Sequence, residues 1–151
     1  MSLADWGTVT WKLFHTLAEK LKDEHQSHIP MLLNQIHMIC HNLPCPTCKE
    51  HAIQSFKTCH LNKIINKEQL IKFLCEFHNI VNIRKKRNKM GLEDCRKLYK
   101  NARTKNIVID FLNIFSLNAR NEKGMMATFH RAKCINNFKR YLREHHLKFN
   151  Y

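Results

Sequence analysis

Glycine and proline are scarce, with three of each in 151 residues. A fold of many short strands needs more turn-formers than that, so the composition points to long helices. No apolar run reaches the roughly 18 residues that a transmembrane helix needs. The opening MSLADWGTVTW lacks the basic-then-apolar order of a secretory signal. The chain is therefore expected to be intracellular, with no membrane partner. Acidic residues are few, 12 against 26 Lys and Arg, for a formal net charge of +14. That balance suits acidic partners such as nucleic acid or phosphate-bearing ligands, and equally a solvated basic exterior. Apolar residues make up 44%, which excludes a disordered composition.

Apolar spacing predicts helices over residues 5–25 (Val9, Leu13, Leu17, Leu21), 31–40, 45–57, 67–86 and 92–103, with a break at 27–30. This is an all-α bundle of four or five helices, followed by a change of character after Thr104. Residues 105–151 hold nine Lys and Arg against three Asp and Glu. An apolar helix over 107–117, a turn at 121–124 and a basic amphipathic helix over 127–146 are expected there. The division is thus 1–104 and a helical, basic extension, 105–151, of unassigned role.

Cysteine is the residue in excess, with seven copies. Cys45 and Cys48 form a C-x2-C behind Pro44, at an expected helix start. Three readings are open. Cys45, Cys48, Cys59 and His60 could bind zinc, although two adjacent side chains would then have to turn to one ion. A thioredoxin-like site would need a βαβ context, which the pattern lacks. A pair at a helix N-terminus could be a reactive disulfide, its thiolate favoured by unpaired N–H groups and the helix dipole. A disulfide enzyme in a reducing compartment needs an organic electron acceptor, because a bare C-x2-C cannot pass electrons to oxygen.

Two constellations could hold one. Trp11 and His15 lie one turn apart in the first helix, after Trp6-Gly7, and His78 and Asn82 lie one turn apart in the fourth, before the run Arg84-Lys85-Lys86-Arg87. Rings can stack on a flat heterocycle, amides can read its edge, and cations can hold a diphosphate. Together these suit FAD.

At this point the sequence resembles the Erv/ALR family of FAD-linked sulfhydryl oxidases, and in its compact form the versions carried by large cytoplasmic DNA viruses. The motifs are WKLFH (Trp11 to His15), CPTC (Cys45 to Cys48) and CEFHNIVN (Cys75 to Asn82), and the match covers about residues 3–104. The resemblance implies a four-helix bundle with a short fifth helix holding FAD, usually as a homodimer. It implies that Cys45 is the outer, interchange cysteine and Cys48 the inner one facing the flavin. Electrons would pass through FAD to O2, giving H2O2. Gly7, Trp11, His15, His78, Asn79 and Asn82 would contact FAD. Arg87 would stand for a downstream lysine, with Arg84 and His51 nearby. Cys75 and Cys95, with nineteen residues between them, would form a structural disulfide.

The sequence departs from relatives in having Glu19 and Lys20 where aromatic residues often stand, and it lacks a second, shuttle cysteine pair. The implied substrate is a protein thiol, met directly or through a small relay thiol protein. A viral origin would place the protein in host cytoplasm and in particles. This reading assigns no metal. The alternative is a zinc- or nucleic-acid-binding helical module.

Overall fold

The stripe Val9, Leu13, Leu17 and Leu21 winds the first helix into the middle of the molecule, where all four side chains are buried. The computed structural model describes residues 5–121 and 125–151. Those residues form α1 (Asp5–Lys20), α2 (Ile29–Cys40), α3 (Pro46–Thr58), α4 (Lys67–Arg84), α5 (Leu92–Lys100), α6 (Thr104–Asn121) and α7 (Met125–His145), with short 3₁₀ segments between some of them. The only strand-like pairing among them is a bridge between Leu21 and Phe149. The all-α expectation holds. No helix of the described residues is long and apolar enough to cross a membrane.

The first helix stops earlier than its apolar spacing suggests. The backbone beyond it bonds elsewhere: Lys22 N–H donates to Lys148 C=O at 2.9 Å, and Asn150 N–H donates to Lys20 C=O at 2.7 Å. A 3₁₀ segment, Asp23–His28, follows. Pro30, expected to break the chain, instead lies in the first turn of α2, where its missing N–H costs nothing. α4 opens with a capping box between Asn66 and Gln69. It closes in a Schellman turn: Lys86 takes φ 57°, and Arg87 N–H reaches back to Asn82 C=O at 2.7 Å. Of the turn expected at 121–124, residues 122–124 lie outside the described residues.

α1 packs against α4, α5 and α6, while α7 packs on α6 and α2. Arg96 of α5 reaches Glu19 of α1 at 3.4 Å and Glu68 of α4 at 2.6 Å. Lys20 Nζ donates to the carbonyl of Lys100 at 2.6 Å, a cation at the C-terminal end of α5. Glu19 and Lys20 therefore serve to hold α5 in place.

The helices of 105–151 share the core. Phe111, Phe115 and Phe138 are at most 1% exposed and sit in one apolar cluster with Leu13, Leu17 and Leu32. Phe111 stacks on Phe115 at 4.9 Å and meets Phe138 edge-on at 5.7 Å. Deleting a ring this buried leaves a cavity, so Phe115→Ala should cost about 3–5 kcal/mol. Urea unfolding of the full chain should show a single transition at lower midpoint with unchanged slope. A separate early transition would mean that the extension melts on its own.

Candidate functional site

Pro44 and Pro46 frame the start of α3. Pro46 is its first residue, and Cys45 caps it in an extended conformation (φ −98°, ψ 113°). The Cys48 amide N–H donates to Cys45 Sγ at 3.2 Å. The helix terminus thus serves the outer sulfur, not Cys48. In the dithiol, the Cys48 thiol is pushed up to about 11, first by burial, then by its hydrogen bond to Cys45 and by that neighbour's charge, with Lys85 pulling the other way. At Cys48 burial outweighs the helix end, and the helix-start amide serves Cys45 instead.

Cys48 lines a narrow apolar chamber of about 70 Å3; Cys45 does not. Trp6, Trp11, Phe14, Phe77 and Val81 supply its walls, with His51, Arg84 and Lys85 at its polar side. Gly7 also lines it, and a Cβ built on Gly7 meets nothing within 4 Å, so the missing side chain leaves a wall open. A second cleft of about 240 Å3 shares Trp6, Gly7, Trp11 and Lys85 and adds Lys12, His78, Arg87 and Tyr99. It is cationic and aromatic. A roomier groove of about 550 Å3, between α2 and the segment around Leu61, contains no cysteine.

A stack of flat rings stands behind the second cleft. Trp11 lies parallel to His78, 4.1 Å apart at 7°, and His15 stacks on Tyr99 at 4.8 Å. His15 Nε2 and His78 Nδ1 are 2.9 Å apart, and His15 Nδ1 is 3.6 Å from Cys95 Sγ. Burial, then the His78 charge, lowers His15 to about 3. Burial, then Arg87, lowers His78 to about 4. Both rings are neutral near pH 7, so a single proton lies between the two facing nitrogens.

The residues singled out from the sequence are brought together unequally. Cys48, Gly7, Trp11, His51 and Arg84 line the inner chamber, and His78 and Arg87 line the outer cleft. His15 lies behind His78. Asn79 spends its amide elsewhere: Nδ2 donates to Met90 C=O at 2.8 Å, and Oδ1 accepts from Met90 N–H at 2.9 Å. Asn82 Nδ2 donates to Asn79 Oδ1 at 3.4 Å, and neither amide lines the cavities. No disulfide joins any two of the seven cysteines in this structure. Cys75 and Cys95 are buried neighbours, and burial followed by Cys75 pushes the Cys95 thiol up to about 12. Among the described residues no three metal-binding side chains cluster, so Cys45, Cys48, Cys59 and His60 are not gathered around one point.

Trp6 and Lys85 stand in the two sequence constellations without a role of their own, and Tyr99 stands outside both. Lys85 carried a usable signal, since it stands in the basic run one helical turn after Val81. Tyr99 carried none, because its place depends on how α5 docks.

A profile of the Erv1 / Alr family matches residues 8–104, and the chain belongs to that family. It is 31% identical over 81 residues to a protein of Invertebrate iridescent virus 3 whose name describes it as an FAD-linked sulfhydryl oxidase. The aligned stretch is 52% of this chain and 55% of that protein, so the chain spans about half the length of the curated relative it matches. No solved structure matches. Residues 105–151 lie outside the family match.

The depressed histidines make stability depend on pH. Below pH 6.5 the unfolded chain takes up protons that buried His15 and half-buried His78 refuse until about pH 3 and 4. Stability should be full above pH 6.5 and fall on acidification, by at most about 1.4 kcal/mol per pH unit for each such group. Urea melts at pH 7.5 and 4.5 check this, and His15→Gln should flatten the dependence. A curve equally steep in the variant would place its origin elsewhere.

Proposed function

We propose that the protein is an FAD-dependent sulfhydryl oxidase that forms disulfides in protein thiols through Cys45 and Cys48. The observation that carries this reading is the division of the pair. Cys48 faces an apolar chamber that shares the walls Trp6, Gly7, Trp11 and Lys85 with a cationic, aromatic cleft, and Cys45 stays outside it, in a chain of the Erv1 / Alr family. The residues fit a flavin nucleotide: flat rings at Trp11 and His78, cations at Arg84, Lys85 and Arg87, and open space at Gly7. Entry of a ring system into so narrow a chamber requires wall side chains to part.

A substrate thiolate attacks Cys45 Sγ, the Cys45–Cys48 bond breaks, and Cys48 leaves as the thiolate. Lys85 lies close enough to offset part of that charge. The second substrate thiol attacks the substrate sulfur of the mixed disulfide and releases Cys45. The substrate has then lost two electrons and two protons, and a disulfide has moved to it. Bound FAD would take the two electrons from the Cys45–Cys48 dithiol and hand them with two protons to O2, giving H2O2. Cys75 and Cys95 would form a structural disulfide between α4 and α5. The working form would be an intracellular homodimer, with residues 1–104 as the oxidase unit and 105–151 as its extension.

The purified chain should carry a flavin absorption band and consume oxygen when dithiothreitol is added in air. Cys48→Ser should reduce uptake to background and keep the band. A colourless chain without uptake would overturn the reading. Gly7→Ala should leave the flavin-free fold as stable or more so, by up to about 1 kcal/mol, while flavin retention drops several-fold. Undiminished retention would place the ring system away from Gly7.

A further inference from the structure

A second concavity lies on the other side of the segment that carries Cys45. It is a groove of about 420 Å3 between α7 and the start of α3. Leu43 and Pro46 both line it, so the short segment between them, which carries Cys45, borders the groove, while Cys45 itself is not a lining residue. Arg131 of α7 is 3% exposed and holds this rim from beneath. Its Nε donates to Asn42 C=O at 2.6 Å and its Nη2 to Leu43 C=O at 3.1 Å. The groove is therefore built jointly by the extension and the redox segment. Exposed Lys49 and Lys133 face it from its two sides, His41 and His130 add imidazoles, and no acidic side chain lines it.

We propose that this groove docks an acidic segment of the thiol substrate, so that the substrate's cysteine reaches Cys45; the assignment rests on the oxidase reading for the role of Cys45. The positive rim is complementary to carboxylates, and a phosphate would match its charge equally well. Whatever approaches Cys45 must bring a thiol, which a nucleic acid lacks. Cys134, the cysteine of α7, does not serve as a relay to Cys45: it is buried, with its thiol donating to Met38 C=O at 3.7 Å. The substrate thiol must therefore come from another molecule.

Two measurements on the full chain test this. The first is fluorescence anisotropy of labelled peptides in which serine replaces cysteine, flanked by Asp/Glu, Gly/Ser or Lys/Arg. The acidic peptide should bind about tenfold tighter than the neutral one at low salt and lose that advantage as salt screens the charges. K49E/K133E should invert the order, and the milder K49Q/K133Q should abolish it, which covers a failure of the first variant to fold. The second is kcat/KM for the matching cysteine peptides. It should follow the same order, with the difference in KM.

Equal binding of all three peptides, or a preference that survives K49E/K133E, overturns the proposal. So does an oligonucleotide that binds the unmodified chain and not the variant while the peptides go undiscriminated. Selective binding of the acidic peptide by a chain that does not oxidise dithiothreitol would keep the groove and remove the oxidase reading. Oxidation of dithiothreitol with no peptide discrimination would do the reverse.

Discussion

The 2.9 Å contact between His15 and His78 joins the two helices on which the whole site is drawn. It can form only if α1 and α4 face each other in one register. That register also lays Trp11 flat on His78 and brings Phe77 edge-on to Trp11 at 5.0 Å. Two buried polar rings without partners would each cost more than a hydrogen bond returns, so the pair tolerates little sliding of α1 against α4. Burial above all keeps both rings neutral at working pH, which leaves Lys12, Arg84, Lys85 and Arg87 as the site's positive charge.

The opposite side of α1 is closed by α6. A helix with Leu13, Leu17 and Leu21 fully buried needs apolar partners on more than one side, and Phe111 and Phe115 supply them. The extension is thus part of what holds α1 in place. Through Arg131 it also reaches the carbonyls just before Pro44. One added pair of helices connects the core of the bundle to the approach of its redox segment.

The two cysteines divide their surroundings. Cys45 receives the amide at the start of α3, while Cys48 is turned toward apolar walls that disfavour a lone thiolate. Burial would make Cys48 a poor anion if nothing opposed it, and Lys85 is the opposing charge. In the proposed exchange, the sulfur that would be released as an anion is held between those influences.

Much was legible in the chain itself. Helix periodicity, the proline at the head of α3 and the three motifs are local patterns, and local patterns need no knowledge of how helices cross. The early end of α1 was not legible, because it depends on backbone bonds to residues more than a hundred positions away. Asn79 read as a ligand by motif, and in the structure its amide closes the loop to Met90. Tyr99, Lys85 at Cys48, and the meeting of Arg131 with Asn42 and Leu43 arise only when α5, α4 and α7 settle on their neighbours. By itself the sequence determined the helices, the C-x2-C pair and the residue types around it, because those follow from spacing and side-chain chemistry. Only the tertiary structure decided which cysteine faces inward, which cation stands beside it and what the extension touches, because burial and long-range packing set those.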